Sequence, residues 1–278
     1  MLSLRLGAAI PLAFSACSIL ILHVDTLNAD TFRAVQRWTR LLPDVVWAAF
    51  TICGTGIAAF ALLSPTLAWR PTWMAATFIA AVPAGIYSAG LKHLLTFPRP
   101  AHVLDAAEIH VIGQRLLTHS FPSGHVVTAF TLAAVLVLAS RRPAAMALWV
   151  VPLASLIAVS RIAVGAHWPA DLAAGAAGGW LSGTLGVAIA SRWTAWNTLR
   201  GIRIMALAII GIGVSLFTVN LGYPLVTPLQ HAMGVVALLA GTAALLWPRL
   251  AMPALVSAPV PAPVPALVET SASPRAGY

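Results

Sequence analysis

Lys92–Pro100 (KHLLTFPRP), Pro122–His125 (PSGH) and Ser160–Asp171 (SRIAVGAHWPAD) are three polar stretches in an otherwise oily chain. Each lies at the edge of an apolar run long enough to cross a bilayer. Between them they carry one Lys, two Arg, three His, two Ser and one Asp. A set rich in cations and histidines, with no carboxylate cage, suits a phosphate site that uses a histidine nucleophile.

The rest of the chain says where such a site would sit. Of 278 residues, 60% are hydrophobic and only 8% charged, against about 25% charged in a soluble domain. That composition describes an integral membrane protein. The net charge is +9, but the cations stand singly or in pairs between apolar runs. They are therefore topology signals and site residues rather than a nucleic-acid-binding face. Cys17 and Cys53 fall inside apolar runs and are expected to be buried thiols; no cysteine spacing suggests zinc or a disulfide framework.

Apolar periodicity places spans near Gly7–Val24, Val45–Trp69, Thr72–Leu91, Gly124–Ser140, Ala144–Ile162, Ala170–Ala190, Ile204–Asn220 and Ala232–Trp247. Asp30–Arg40 is polar and periodic, as in a short helix lying in the interface. Trp38, Trp47, Trp69, Trp73, Trp149, Trp180, Trp193 and Trp247 are expected near span ends, as an aromatic belt. Alternation of eight spans gives one side nine cations and the other seven, of which Lys92, Arg99 and Arg161 belong to the polar stretches. The cation-rich side is cytoplasmic by the positive-inside rule. Both termini are then cytoplasmic, and all three polar stretches face outward. The first apolar run is expected to be retained as a span rather than cleaved as a signal. The Pro/Ala/Val-rich stretch 251–278 reads as a disordered tail.

Local chemistry follows from the spacing. His167 and Asp171 are four apart and share a face of any helix through them. Pro169 suits the first turn of that helix. An Asp that accepts the Nδ1 proton leaves His167 Nε2 free and nucleophilic, although a capped helix start with a loop histidine has the same sequence. Ser123 suits an N-cap and Gly124 permits close backbone approach, at a helix N-terminus where amides bind anions. Lys92 and Arg99 could simply snorkel to the interface. With Arg161 they could instead neutralise the three equatorial oxygens of a transferring phosphoryl group.

The order and spacing K-x6-RP, PSGH and SR-x5-H-x3-D resemble the type 2 phosphatidic acid phosphatase family, over roughly residues 1–192. The resemblance implies an all-α, polytopic six-helix core, to which a C-terminal two-helix hairpin (193–250) is added. It implies that His167 attacks phosphorus, Asp171 orients it, and His125 protonates the leaving oxygen and then activates water. Lys92, Arg99, Ser123, Gly124 and Arg161 become phosphate contacts. No cofactor or metal is implied, and Asp105, Glu108 and Asp171 are too few for a two-metal cage.

The expected function is hydrolysis of a phosphate monoester or diphosphate on an outer-leaflet lipid in a bacterial inner membrane. Undecaprenyl diphosphate is slightly favoured over phosphatidylglycerophosphate, phosphatidic acid and lipid A. A phosphotransferase on the same scaffold, or a silent lipid-binding or transport protein, is the alternative. The partners expected are the phosphorylated lipid and the bilayer, not nucleic acid. The 101–120 loop, with His102, Asp105, Glu108, His110, Arg115 and His119, is the expected source of substrate selectivity at the entrance.

Overall fold

The computed structural model describes residues 2–23 and 26–247, and every regular element among them is helical. The stretch 251–278, read above as a tail, lies outside the described residues. In chain order the helices are α1 (Leu2–His23), α2 (Leu27–Thr39), α3 (Asp44–Cys53), α4 (Gly56–Leu63), α5 (Pro71–Leu94), α6 (Pro100–Val103), α7 (Gly124–Leu138), α8 (Pro143–Ala163), α9 (Pro169–Ala190), α10 (Leu199–Thr218) and α11 (Thr227–Leu246). Five of them, α5, α8, α9, α10 and α11, are long and apolar enough to cross a membrane unaided.

Helix α9 is the centre of the bundle and packs on α1, α5 and α7. Its sequence explains why. Gly175, Gly179 and Gly183 recur every fourth residue and bring one face against the α7 backbone. A Cβ at Gly175 would lie 2.9 Å from the Ser123 carbonyl oxygen, and one at Gly183 2.6 Å from that of Thr131. Small residues at this spacing let membrane helices approach backbone to backbone, where dispersion and weak polar contacts replace the missing hydrophobic drive. Thr131 seals the contact by donating to the Gly179 carbonyl at 3.1 Å. A second face, at Gly178 and Gly186, accepts the Tyr87 ring and the α5 backbone at Ala76.

Three expectations change. The run Val45–Trp69, read as one span, is broken: α3 and the segment from Gly56 to Ala68 meet at 79°. The crook at Gly54 is filled by the first turn of α7, since a Cβ there would sit 3.1 Å from His125 Cβ and 2.7 Å from Ile157 Cγ2. Thr55 then caps the new helix through its side chain. Trp180 is not a belt residue but lies fully buried in the middle of α9, and Trp47 is buried with its indole N–H donated to the Thr39 carbonyl at 2.7 Å. Trp38, Trp69, Trp149, Trp193 and Trp247 are exposed, as a belt requires. Finally, Cys17 is exposed and Cys53 only half-buried; a thiol is apolar enough to face lipid as readily as a core.

Residues 27–39 form the expected amphipathic helix, and α2 works as a clamp. Gln36 donates to the carbonyls of His110 (2.8 Å) and Ile162 (3.0 Å) and accepts from the His110 amide (2.9 Å). One buried amide thus ties α2 to the 101–120 loop and to the end of α8. At the other end of the chain, α10 and α11 form a tight hairpin whose second helix lies on α4 and the turn after it. Gln230 donates to the Leu216 and Val219 carbonyls, which α10 leaves open at its C-terminus.

Candidate active site

The ends of α5 and α8, the starts of α7 and α9, and the α10–α11 turn converge at one end of the bundle. All eight residues singled out by spacing lie there: Lys92, Arg99, Ser123, Gly124, His125, Arg161, His167 and Asp171.

His167 lies in the turn between α8 and α9 and is 2% exposed. Its Nδ1 is 3.2 Å from Asp171 Oδ2 and its Nε2 is 3.1 Å from Arg99 Nη1. A guanidinium can only donate, so Nε2 must be the acceptor and Nδ1 carries the proton, which it gives to Asp171. Burial, reinforced by the fields of Arg99, Arg161, Lys92 and His125, holds the imidazole well below the usual histidine range. The ring is therefore neutral, with a lone pair on Nε2.

Asp171 Oδ2 also accepts from the Trp168 amide at 2.9 Å and from Ser120 Oγ at 2.5 Å. Trp168 is the N-cap of α9 and Asp171 its third residue, so the same carboxylate caps the helix and orients the histidine.

Arg99 is buried and anchored along its whole fork. Nε donates to the Thr118 carbonyl (2.7 Å), Nη1 to the Ala166 carbonyl (2.8 Å) and Nη2 to the His119 carbonyl (3.2 Å). Burial, then the nearby Arg161, lowers its pKa to about 10, which leaves it protonated at neutral pH. Lys92 Nζ donates to the same His119 carbonyl at 2.9 Å. His119 holds a left-handed φ of 55°, uncommon outside glycine, at the point where its carbonyl serves both cations.

Ser123 occupies the N-cap of α7, as expected, but its side chain makes no capping bond. Its Oγ is fully buried and unpartnered, and so is Nε of Arg161. A buried polar atom without a partner costs about 1–3 kcal/mol. One stands at the N-terminus of α7 and the other on a cation whose field, with those of Arg99 and Lys92, reaches His167, so the place suits an anion.

The site opens into a groove of about 420 Å³ running between α4, α5 and α7. Lys92 and Gly124 stand at its polar end; Ala59, Phe60, Ala84, Gly85, Val127 and Leu132 line the rest. No residue of the 101–120 loop lines it. That loop is pinned instead: His110 to Asp44 (2.8 Å), Glu108 to Arg33 (3.1 Å) and Arg115 to the Ala101 carbonyl (2.9 Å). The groove walls come from α4, α5 and α7, while the loop reaches the site through the Thr118 and His119 carbonyls that hold Arg99 and Lys92.

Comparison with known proteins agrees with this geometry. Residues 71–195 match the model of the PAP2 superfamily. A lipid A 1-phosphatase of Rhizobium etli is 30% identical over 200 residues, which are 62% of this chain and 83% of that protein. The chain belongs to the PAP2 superfamily. Among solved structures, Aquifex aeolicus LpxE is 29% identical and superposes with a TM-score of 0.51, over 60% of this chain and 96% of its own. A PAP2-type phosphatidylglycerolphosphate phosphatase of Bacillus subtilis is 18% identical with a TM-score of 0.47, over 68% and 97% of the two chains. With its apolar helices, this PAP2 chain is an integral membrane protein with an all-α fold.

Three site residues escape the PAP2 spacing. Ser120 donates to Asp171 Oδ2, the same oxygen that His167 contacts. Thr51 and Tyr223 lie outside the matched region, yet both contact Arg161 Nη1, at 3.3 and 2.9 Å. Ser120 stands three residues before Ser123 and was within reach of the sequence; Thr51 and Tyr223 carry no local signal.

Proposed function

We propose that this PAP2 protein is a metal-independent lipid phosphatase working through a phosphohistidine. The observation that carries the reading is the state of His167: buried, neutral, its Nδ1 proton given to Asp171, its Nε2 lone pair directed at an arginine beside two unpartnered buried donors.

The steps follow from these contacts. A lipid phosphate enters with its chains in the apolar groove and its oxygens among Lys92, Arg99, Arg161, Ser123 and the first amides of α7. Arg99, with Nε and Nη2 still held by the Thr118 and His119 carbonyls, shifts one Nη1 N–H from Nε2 to a phosphate oxygen. Nε2 then forms a bond to phosphorus while the bond to the lipid oxygen breaks, and His125 gives that oxygen a proton. Water next attacks phosphorus, His125 takes its proton, the P–N bond breaks, and inorganic phosphate leaves. Asp171 balances the positive charge that the ring gains on phosphorylation. Fixed cations and amides neutralise the equatorial oxygens, the task a metal performs elsewhere.

Lipid A 1-phosphate heads the substrate panel, because the 30%-identical relative bears that name. Undecaprenyl diphosphate, slightly favoured by the family resemblance for an outward-facing site, stands beside it. In this reading residues 1–192 are the catalytic core and 193–250 a hairpin docked on it. The protein sits in a bacterial inner membrane with both termini cytoplasmic and the site outside, as the distribution of cations suggests.

The test is phosphate release by purified wild type and His167→Ala, in detergent with EDTA. The panel is lipid A, undecaprenyl diphosphate, phosphatidylglycerophosphate and phosphatidic acid. Release by wild type alone is expected. Equal release by both proteins, or release that chelation abolishes and magnesium restores, overturns the mechanism.

A further inference from the structure

The α10–α11 hairpin lies outside the PAP2 match, but its turn enters the site. Tyr223 sends its Oη to 2.9 Å from Arg161 Nη1, across 62 residues of sequence. The same Nη1 also reaches Thr51 Oγ1 at 3.3 Å. Thr51 in turn is 2.7 Å from Ser160 Oγ, whose proton goes to the Ile157 carbonyl at 2.6 Å. Thr51 must therefore donate to Ser160 and accept from Arg161. Two oxygens hold one edge of the guanidinium, and Nε stays buried and without a partner.

The Tyr223 ring is held as firmly as its hydroxyl. Gly113, at φ +80°, packs against it: a Cβ there would be 2.9 Å from the ring and 2.5 Å from the Gly222 carbonyl. Only glycine fits that space and that conformation. The 101–120 loop, excluded from the groove, thus seats the hairpin turn.

We infer that Tyr223 is a positioning residue for the phosphoryl-transfer step, fixing the Arg161 fork so that its free donors meet the equatorial oxygens of the transferring group. The inference rests on the phosphatase reading above. An arginine is long and has many rotamers; a fork left loose must be ordered at each turnover, whereas one held beforehand is not. The effect belongs to the transition state, where charge on those oxygens is redistributed, more than to capture of the lipid, whose chains bind in a groove on another side of the site.

The experiment compares wild type with Tyr223→Phe, which keeps the ring against Gly113 and removes only the hydroxyl. Readouts are kcat and KM for phosphate release, inhibition by orthovanadate, and melting temperature. Orthovanadate takes the five-coordinate geometry of the transferring phosphorus and so reports on the equatorial contacts. Expected are a kcat lower by about 10- to 100-fold, the worth of a hydrogen bond to a charged group, with KM within about threefold. Vanadate inhibition should weaken by a similar factor and the melting temperature should hold. In an Arg161→Lys background the same change should cost less than about twofold, since its route is gone. Unchanged kcat and vanadate inhibition, or a full Tyr223→Phe loss persisting in Arg161→Lys, overturns the inference while leaving the phosphatase reading intact. Absence of release by wild type from every lipid defeats that reading, and this inference with it.

Discussion

Replacing Asp171 with Asn tests the centre of the mechanism at nearly constant shape. When His167 Nε2 bonds to phosphorus, the ring gains a positive charge 3.2 Å from Asp171 Oδ2. At an effective dielectric of about 20, a full charge at that distance is held by about 5 kcal/mol. With the charge half-developed in the transition state, loss of the carboxylate raises the barrier by about 2.5 kcal/mol, roughly 70-fold in kcat. The amide adds a second penalty. It can turn its N–H toward Nδ1, which moves the histidine proton to Nε2 and removes the nucleophilic lone pair, as in triads whose aspartate becomes asparagine. A fall of roughly 10³-fold in kcat with little change in KM is expected. The assay is phosphate release under substrate saturation, with melting measured in parallel. His167 and the Trp168 amide both contact Oδ2, so an amide turned N–H toward Nδ1 gives up the α9 cap, and the melting temperature should drop by a few degrees, in keeping with loss of a cap worth about 1 kcal/mol. A well-folded Asp171→Asn enzyme within about fivefold of wild-type kcat would refute the assignment, since a loss of 2.5 kcal/mol cannot hide inside that margin.

Three further outcomes check other parts of the structure. Gly85 lines the groove with open space at its Cβ position; Gly85→Phe should raise KM for a long-chain lipid about tenfold or more, yet spare p-nitrophenyl phosphate, which has no chain to seat. Gly179→Val drives a side chain into the Val127 carbonyl and the Thr131 amide of α7, so solubilised protein should lose its monodisperse peak on size exclusion, while a normal peak would show that the α7–α9 contact can give. The depressed pKa of buried His167 means the unfolded chain binds more protons than the folded one below about pH 6.5. Its stability contribution is present above that value and lost as pH falls through it, so melting temperature should decline from pH 7 to pH 5, and His167→Gln should flatten that decline.

The place of the site in the fold is largely legible, because spacing within a segment is a local property. His167 and Asp171 are one helical turn apart, and Ser123 and Gly124 start a helix; nothing distant is needed to bring either pair together. The glycine ladder 175–179–183 is equally local, small residues at one-turn spacing that mark a close-packing face. Other features were hidden for physical reasons. The 79° break after α3 is imposed by α7 entering the crook at Gly54, and apolar periodicity runs across it without interruption. Ser123 was read as a cap, and only the packed site shows its hydroxyl free. The partners of the charged 101–120 loop are hidden as well, since Asp44, Arg33 and Gln36, far away in sequence, hold its side chains and backbone. Tyr223 meets Arg161 only through the docking of a hairpin on α4, which no pattern near residue 223 announces.

The hydrogen bond from Arg99 to His167 Nε2 has a bearing on selectivity. At rest the attacking lone pair is occupied, and the cation that occupies it is the one a phosphate would attract. An uncharged ester drifting up the groove offers Arg99 nothing in exchange, so the histidine stays masked. In the proposed mechanism a dianion draws the Nη1 contact onto itself and uncovers the nucleophile, while the Thr118 and His119 carbonyls keep the rest of the fork in place. Discrimination between charged and neutral lipids thus precedes bond-making. On the phosphatase reading, in a membrane crowded with carboxylic esters, the histidine is armed only by the group it would remove.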